Sequence, residues 1–143
     1  MYKKAVVVKF VGAVIKGSLK EIEPMPGVVE AIKRLSQEFD VYIYSGLSKE
    51  NIGAWLYEFD LLKNVYGFFG RDGFRIKEYF TALEKQGYEI FLYLSDEPLD
   101  FIVDHKGLIK VAVNASPNNV FPEDVYVYRQ SLTTDLIEQF MEG

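Results

Sequence analysis

PMPGVVEAIKRLSQEFDVYIYSGLSKENI, residues 24–52, reads as a helix, a strand and the start of a second helix in one stretch. After the Pro26-Gly27 start, Val28, Ile32, Leu35 and Phe39 recur at helical spacing and predict a helix over 27–39. VYIY, residues 41–44, is a β-branched and aromatic run bounded by Ser45-Gly46, which predicts a short strand. Ser48 is a good N-cap, with Asn51 where a capping-box glutamate would stand. Ile52, Trp55, Leu56 and Phe59 give a helix over 48–62 one apolar face.

The same alternation continues in both directions. Upstream, KAVVVKF at 4–10 predicts a buried strand. Downstream come a strand at 65–69 and a helix at 76–86 that turns Ile76, Tyr79, Phe80 and Leu83 inward and stops at Gly87. EIFLYL at 89–94 is a strand, 98–106 a short helix closed by Gly107, 108–113 and 125–128 two further strands, and 132–141 a terminal helix. Strands alternating with helices at this spacing predict an α/β fold, a three-layer doubly wound parallel sheet in one domain over 1–143. There is no internal repeat and no low-complexity tract. Ligands of such sheets collect beyond the carboxyl ends of the strands. Here those ends hold Lys9 to Gly12, Ser45-Gly46, the segment 69–72 with Arg71 and Asp72, the segment 95–100, and Asn114.

Composition narrows the chemistry. The chain has 143 residues, 49% hydrophobic and 26% charged, enough to build a core without staples. With no cysteine, a disulfide scaffold, a thiolate nucleophile, an iron–sulfur cluster and cysteine-containing zinc sites are excluded, and a single histidine excludes a His-rich metal site. A net charge of −5 leaves no basic footprint for nucleic acid or an anionic membrane. No apolar run reaches the length of a membrane span, and Lys9 interrupts the first one, so a cytoplasmic protein is expected. The lack of cysteine and the scarcity of glutamine point toward a hyperthermophilic source.

Several strand-end residues have two readings. Asp96 and Asp100 either converge on a cation or cap and solvate a helix start. The Ser45 hydroxyl beside Gly46 either meets an anion or bonds to local backbone. Lys77, a cation at a helix start where the macrodipole disfavours it, either faces a ligand or is a solvated surface charge. Lys9 ends a strand buried on both faces and so requires a partner. His105 is expected on the surface of the 98–106 helix. Tyr126 and Tyr128 fall on a strand that, if exposed, is an oligomer contact, with the oligomeric state left open.

Residues 24–52, Lys77 and the run Ser95-Asp96-Glu97-Pro98-Leu99-Asp100 together resemble the haloacid dehalogenase-like (HAD) superfamily, mostly phosphohydrolases, over residues 5–113. The resemblance implies a central strand at 4–10 flanked by those at 41–44 and 89–94. It makes Ser45 the phosphate-contacting hydroxyl, with Gly46 beside it, Lys77 the family's Lys or Arg, and Asp96 and Asp100 the aspartate pair. Ser95 stands where glycine is usual. The departure lies in the family's Asp-x-Asp-Gly motif. Lys9 replaces the nucleophilic, Mg²⁺-ligating Asp, Val11 replaces the acid–base Asp, and only Gly12 remains. The segment from Gly12 to Pro24 has room for a hairpin flap but no substantial cap.

The resemblance therefore implies a HAD fold that has lost phosphohydrolase activity and serves as a binding or structural module for a small molecule or a protein. It has no certain catalytic residue and no expected cofactor, with Asp96 and Asp100 as residual metal candidates. The alternative is an active phosphohydrolase using Mg²⁺ and atypical acids among Asp72, Asp96, Glu97 and Asp100. Exchanging a carboxylate for an ammonium changes the local charge by as much as losing Mg²⁺. A salt bridge from Lys9 to Asp96 or Asp100 is thus expected, with Ser45 or Ser95 sharing the hydrogen bonding. Removing one partner of such a buried pair costs about 3–5 kcal/mol.

Overall fold

The KKAVVVK run is apolar on both faces because the strand it forms, β1 (Lys3–Lys9), has a strand on each side and helices above and below. The structure, a computed structural model, describes residues 3–16, 22–70, 75–103 and 105–142. The other strands are β2 (Asp40–Tyr44), β3 (Gly67–Phe69), β4 (Tyr88–Ser95), β5 (Ile109–Ala112) and β6 (Val125–Val127). The helices are α1 (Val28–Ser36), α2 (Lys49–Glu58), α3 (Ile76–Lys85) and α4 (Thr134–Glu142). All six strands form one sheet in the order β3-β2-β1-β4-β5-β6, and every neighbouring pair is parallel. Strand β1 is flanked by β2 and β4, the order that the resemblance implied.

Alternate strand residues serve opposite faces. Val6, Val8, Val41, Ile43, Leu92 and Leu94 pack with Ile32 and Leu35 of α1, Ile52 and Leu56 of α2, and Leu136 and Phe140 of α4. Ala5, Val7, Tyr42, Ile90 and Tyr93 pack with Phe80 and Leu83 of α3 and with Phe101. The chain winds from β1 to β3 through α1 and α2 on the first face. It then crosses to the far side of β1 and enters β4 after α3 on the second face. The direction of winding reverses between β1 and β4, and a crevice opens at their carboxyl ends. That crevice lies at Lys9 and Ser95.

Helix limits move at several points. Ser48 caps α2 as expected, accepting from the Asn51 N–H at 3.3 Å, but the helix stops at Glu58 because Asp60 takes a left-handed φ of 59°. The N-cap of α1 is Gly27, with φ 81°, and a Cβ there would come 2.9 Å from the Thr133 methyl, so glycine lets α1 approach the chain entering α4. The helix expected over 98–106 shrinks to one 3₁₀ turn, Pro98–Phe101, because Phe101 turns fully into the core and Ile102 leaves helical geometry. Asp104 lies outside the described residues. His105 is not a surface residue of that helix; it is half-buried, edge-on to Phe80 at 5.4 Å.

After β1 the chain makes a single wide turn, Phe10–Val14, closed by the Ile15 N–H donating to the Phe10 carbonyl at 3.0 Å. Ile15 then bridges Pro24 in antiparallel fashion, and the Met25 N–H donates to the Val14 carbonyl at 2.7 Å. This is the base of the expected flap; its tip, 17–21, lies outside the described residues, as do Arg71 and Asp72. Among the described residues the sheet carries no cap domain. Among the described residues, no helix is long and apolar enough to cross a membrane.

Candidate functional site

The crevice is closed by an ion cluster. Lys9, the last residue of β1, shares the α3 face with Ala5 and Val7 by strand alternation. Its Nζ lies 2.9 Å from Asp100 Oδ2 and 3.3 Å from Asp96 Oδ1. Ser95, the last residue of β4 and fully buried, donates from Oγ to the same Asp100 Oδ2 at 2.5 Å. The Glu97 N–H donates to Ser95 Oγ at 3.4 Å and holds the loop that presents both aspartates. The 3₁₀ turn at Pro98–Phe101 sets the spacing, and buried Phe101 anchors it below Asp100. The expected pair therefore forms with both carboxylates at once, and Ser95 is the serine that shares it.

Asp96 is held against the turn after β1. Gly12 has φ 110°, and a Cβ added there would fall inside the Asp96 carboxylate. The Gly12 carbonyl in turn accepts from Asn114 Nδ2 at 2.9 Å, and Asn114 takes a left-handed φ of 51° at the end of β5. Three strand ends thus converge on one small polar volume.

Tyr44 and Tyr93 complete it. They end β2 and lie near the end of β4 on the α3 face, and their hydroxyls are hydrogen-bonded to each other. Burial pushes both phenols well above their usual range, reinforced at Tyr44 by the Asp100 charge and at Tyr93 by Tyr44 and then Asp100. Both therefore stay neutral. Neither is among the strand-end residues singled out from the sequence. The signal was available, because tyrosine rather than phenylalanine at a strand's carboxyl end brings a hydroxyl that needs a partner when buried.

The other candidates stand apart from the cluster. Ser45 is buried, but its hydroxyl accepts from the Leu47 N–H at 3.1 Å, the local-backbone reading. A Cβ at Gly46 would meet nothing within 4 Å, so packing does not demand glycine there. Val11 is half-buried and packs against the core on the α1 and α2 face. Lys77 is exposed on the first turn of α3, and among the described residues no ion pair uses it.

The chemistry of this set is limited. Burial lowers the Lys9 pKa, but the hydrogen bond and charge of Asp100, followed by Asp96, more than reverse this and leave it above 10.5. A protonated ammonium is neither nucleophile nor base, and two neutral phenols and a serine bonded to a carboxylate offer no activated nucleophile. The Mg²⁺ that the resemblance implies does not fit these residues. The cation position between the two carboxylates is filled by Lys9 Nζ, which has no lone pair to give, and no group of three His, Asp or Glu among the described residues is arranged to hold a metal.

The direction of the Lys9 shift makes a prediction. A lysine whose pKa is higher folded than unfolded contributes stability in full below the unfolded value and loses it as pH rises through the folded value. In urea unfolding, the gap between wild type and Lys9→Met should hold from neutral pH to about 10.5 and shrink above it. A gap that widens above that pH would show that Lys9 is not stabilised as a cation. Comparison with protein-family models, curated proteins and solved structures finds no match to this chain.

Proposed function

We propose that this chain is a HAD-like fold whose phosphohydrolase centre has become a closed ion cluster, so that it works as a binding or structural module and not as a phosphohydrolase. The observation that carries this reading is the Lys9 ammonium seated between Asp96 and Asp100 where a metal-centred site would need a carboxylate. The sheet order and the wide turn with a flap base after β1 support the fold part of the reading. The net charge of −5 favours a small molecule or a protein over nucleic acid as the ligand. A cytoplasmic location belongs to the same proposal, and the first apolar run forms the central strand of the sheet.

The test is hydrolysis of p-nitrophenyl phosphate with Mg²⁺, across pH and at raised temperature. The expected result is no turnover above the protein-free rate for wild type, with Asp96→Asn indistinguishable from it. Calorimetry should show no saturable sub-millimolar Mg²⁺ binding. Turnover that Asp96→Asn abolishes would overturn the proposal in favour of an active phosphohydrolase with atypical residues.

A further inference from the structure

The sheet ends in an open edge at β6. Tyr128 donates its N–H to Ala112 O at 2.9 Å and accepts from the Ala115 N–H at 3.1 Å, and the Gln130 carbonyl accepts from the Asn114 N–H at 2.9 Å. The even-numbered residues thus face β5. By alternation, Val125, Val127 and Arg129 turn backbone groups toward the open side. Of these, the Val125 N–H is taken by the Pro122 carbonyl at 3.2 Å. The side chains along this edge are apolar and open: Tyr126 is 50% and Val127 45% exposed. Within β6 there is no lysine, proline or bulge to keep the free edge from pairing, and its protection is its length of three residues.

The charges flanking the edge select its occupant. The run is Glu123-Asp124-Val125-Tyr126-Val127-Tyr128-Arg129. Asp124 is engaged inside the fold, 3.0 Å from the buried Lys110 ammonium. Glu123 and Arg129 are both exposed, and no ion pair among the described residues uses either. An antiparallel copy of the same strand, with Tyr126 on the two-fold axis, sets the turn that carries Glu123, just before β6 of each chain, at the Arg129 end of the other. The same register sets Val127, with its outward N–H, opposite the Val125 carbonyl. A parallel copy would instead place like charges side by side.

We propose that the chain pairs with a second copy of itself through β6, antiparallel about Tyr126, making one continuous twelve-stranded sheet by joining two sheets of six. A two-fold arrangement is closed, so it ends at a dimer and does not run on into a fibre. Tyr126 meets its own copy across the axis at a non-hydrogen-bonded position, where side chains approach closest. The exposed tyrosine expected from the sequence is thereby assigned a partner, whereas Tyr128 is half-buried and packs against Phe140.

Sedimentation equilibrium of the full chain tests this. Wild type should be a dimer whose dissociation constant rises with salt. Val127→Pro removes an N–H that β5 does not use, so it should weaken the dimer at least tenfold while circular dichroism and unfolding of the monomer remain cooperative. Arg129→Glu should weaken it comparably, and Glu123→Arg combined with Arg129→Glu should restore it. A wild type that is monomeric at every concentration overturns the proposal. So does a dimer that tolerates both Val127→Pro and Arg129→Glu, because it must then use another surface.

Discussion

Lys9→Ala should lower the unfolding free energy by about 2 kcal/mol, seen in urea unfolding as an earlier midpoint with an unchanged slope. A fully buried pair that loses one partner costs about 3–5 kcal/mol, and exposed pairs are worth about 0–1 kcal/mol. The Lys9, Asp96 and Asp100 side chains are 23%, 23% and 27% exposed, which puts the cluster between these limits and corrects the value expected for a buried pair. The loss comes mostly from what stays behind. Two carboxylates are left facing one another with no cation, while Ser95 still binds one of them. Lys9→Asp adds a third carboxylate and should cost about twice as much as Lys9→Ala. Millimolar Mg²⁺ should recover a large part of that loss while leaving wild type unchanged. If Lys9→Ala is neutral, or Mg²⁺ stabilises wild type as much as Lys9→Asp, the ammonium does not occupy the place of a cation.

Gly12→Ala should be at least as damaging, by about 3 kcal/mol. A φ of 110° holds an L residue in a strained region, which costs about 1–3 kcal/mol wherever the side chain points. Here the new methyl also overlaps the Asp96 carboxylate. Asp96 must swing away, and Lys9 keeps only Asp100. The two parts separate in a double-mutant cycle. With Asp96→Ala already present, the overlap is gone and only backbone strain remains, so Gly12→Ala should then cost about 1–2 kcal/mol less than in wild type. Strict additivity would sink the overlap account and reduce Gly12 to a residue kept for its backbone alone. The Asn114 bond to the Gly12 carbonyl would then have no link to the ion cluster.

Much of the fold is legible in the sequence alone. Periodicity separated VYIY and KAVVVKF from the helices around them, because a buried parallel strand is short, β-branched and apolar on both sides. Ser48 announced its helix through cap chemistry, which is local. The segment 98–106 misled because Pro98 and the apolar residues after it suit a helix start. Tertiary burial of Phe101 ended that helix after one turn. Lys9 was legible as a residue in need of a partner, since a charge at the end of a doubly covered strand has nowhere to be solvated.

The amino-acid sequence by itself determined the alternation of elements, the absence of thiol chemistry and the presence of a lysine at the carboxyl end of the first strand. Those properties depend on residue type and on spacing along the chain. Only the tertiary structure decided that Ser95 and not Ser45 joins the cluster, that Tyr44 and Tyr93 meet through their hydroxyls, and that Asp96 fills the space left by Gly12. Each of these contacts joins residues from different strands or loops, and β1 and β4 become neighbours only when the winding of the sheet reverses. Side-chain hydrogen bonds across that reversal depend on strand order and on the depth of a turn, and no local pattern in the chain encodes either one.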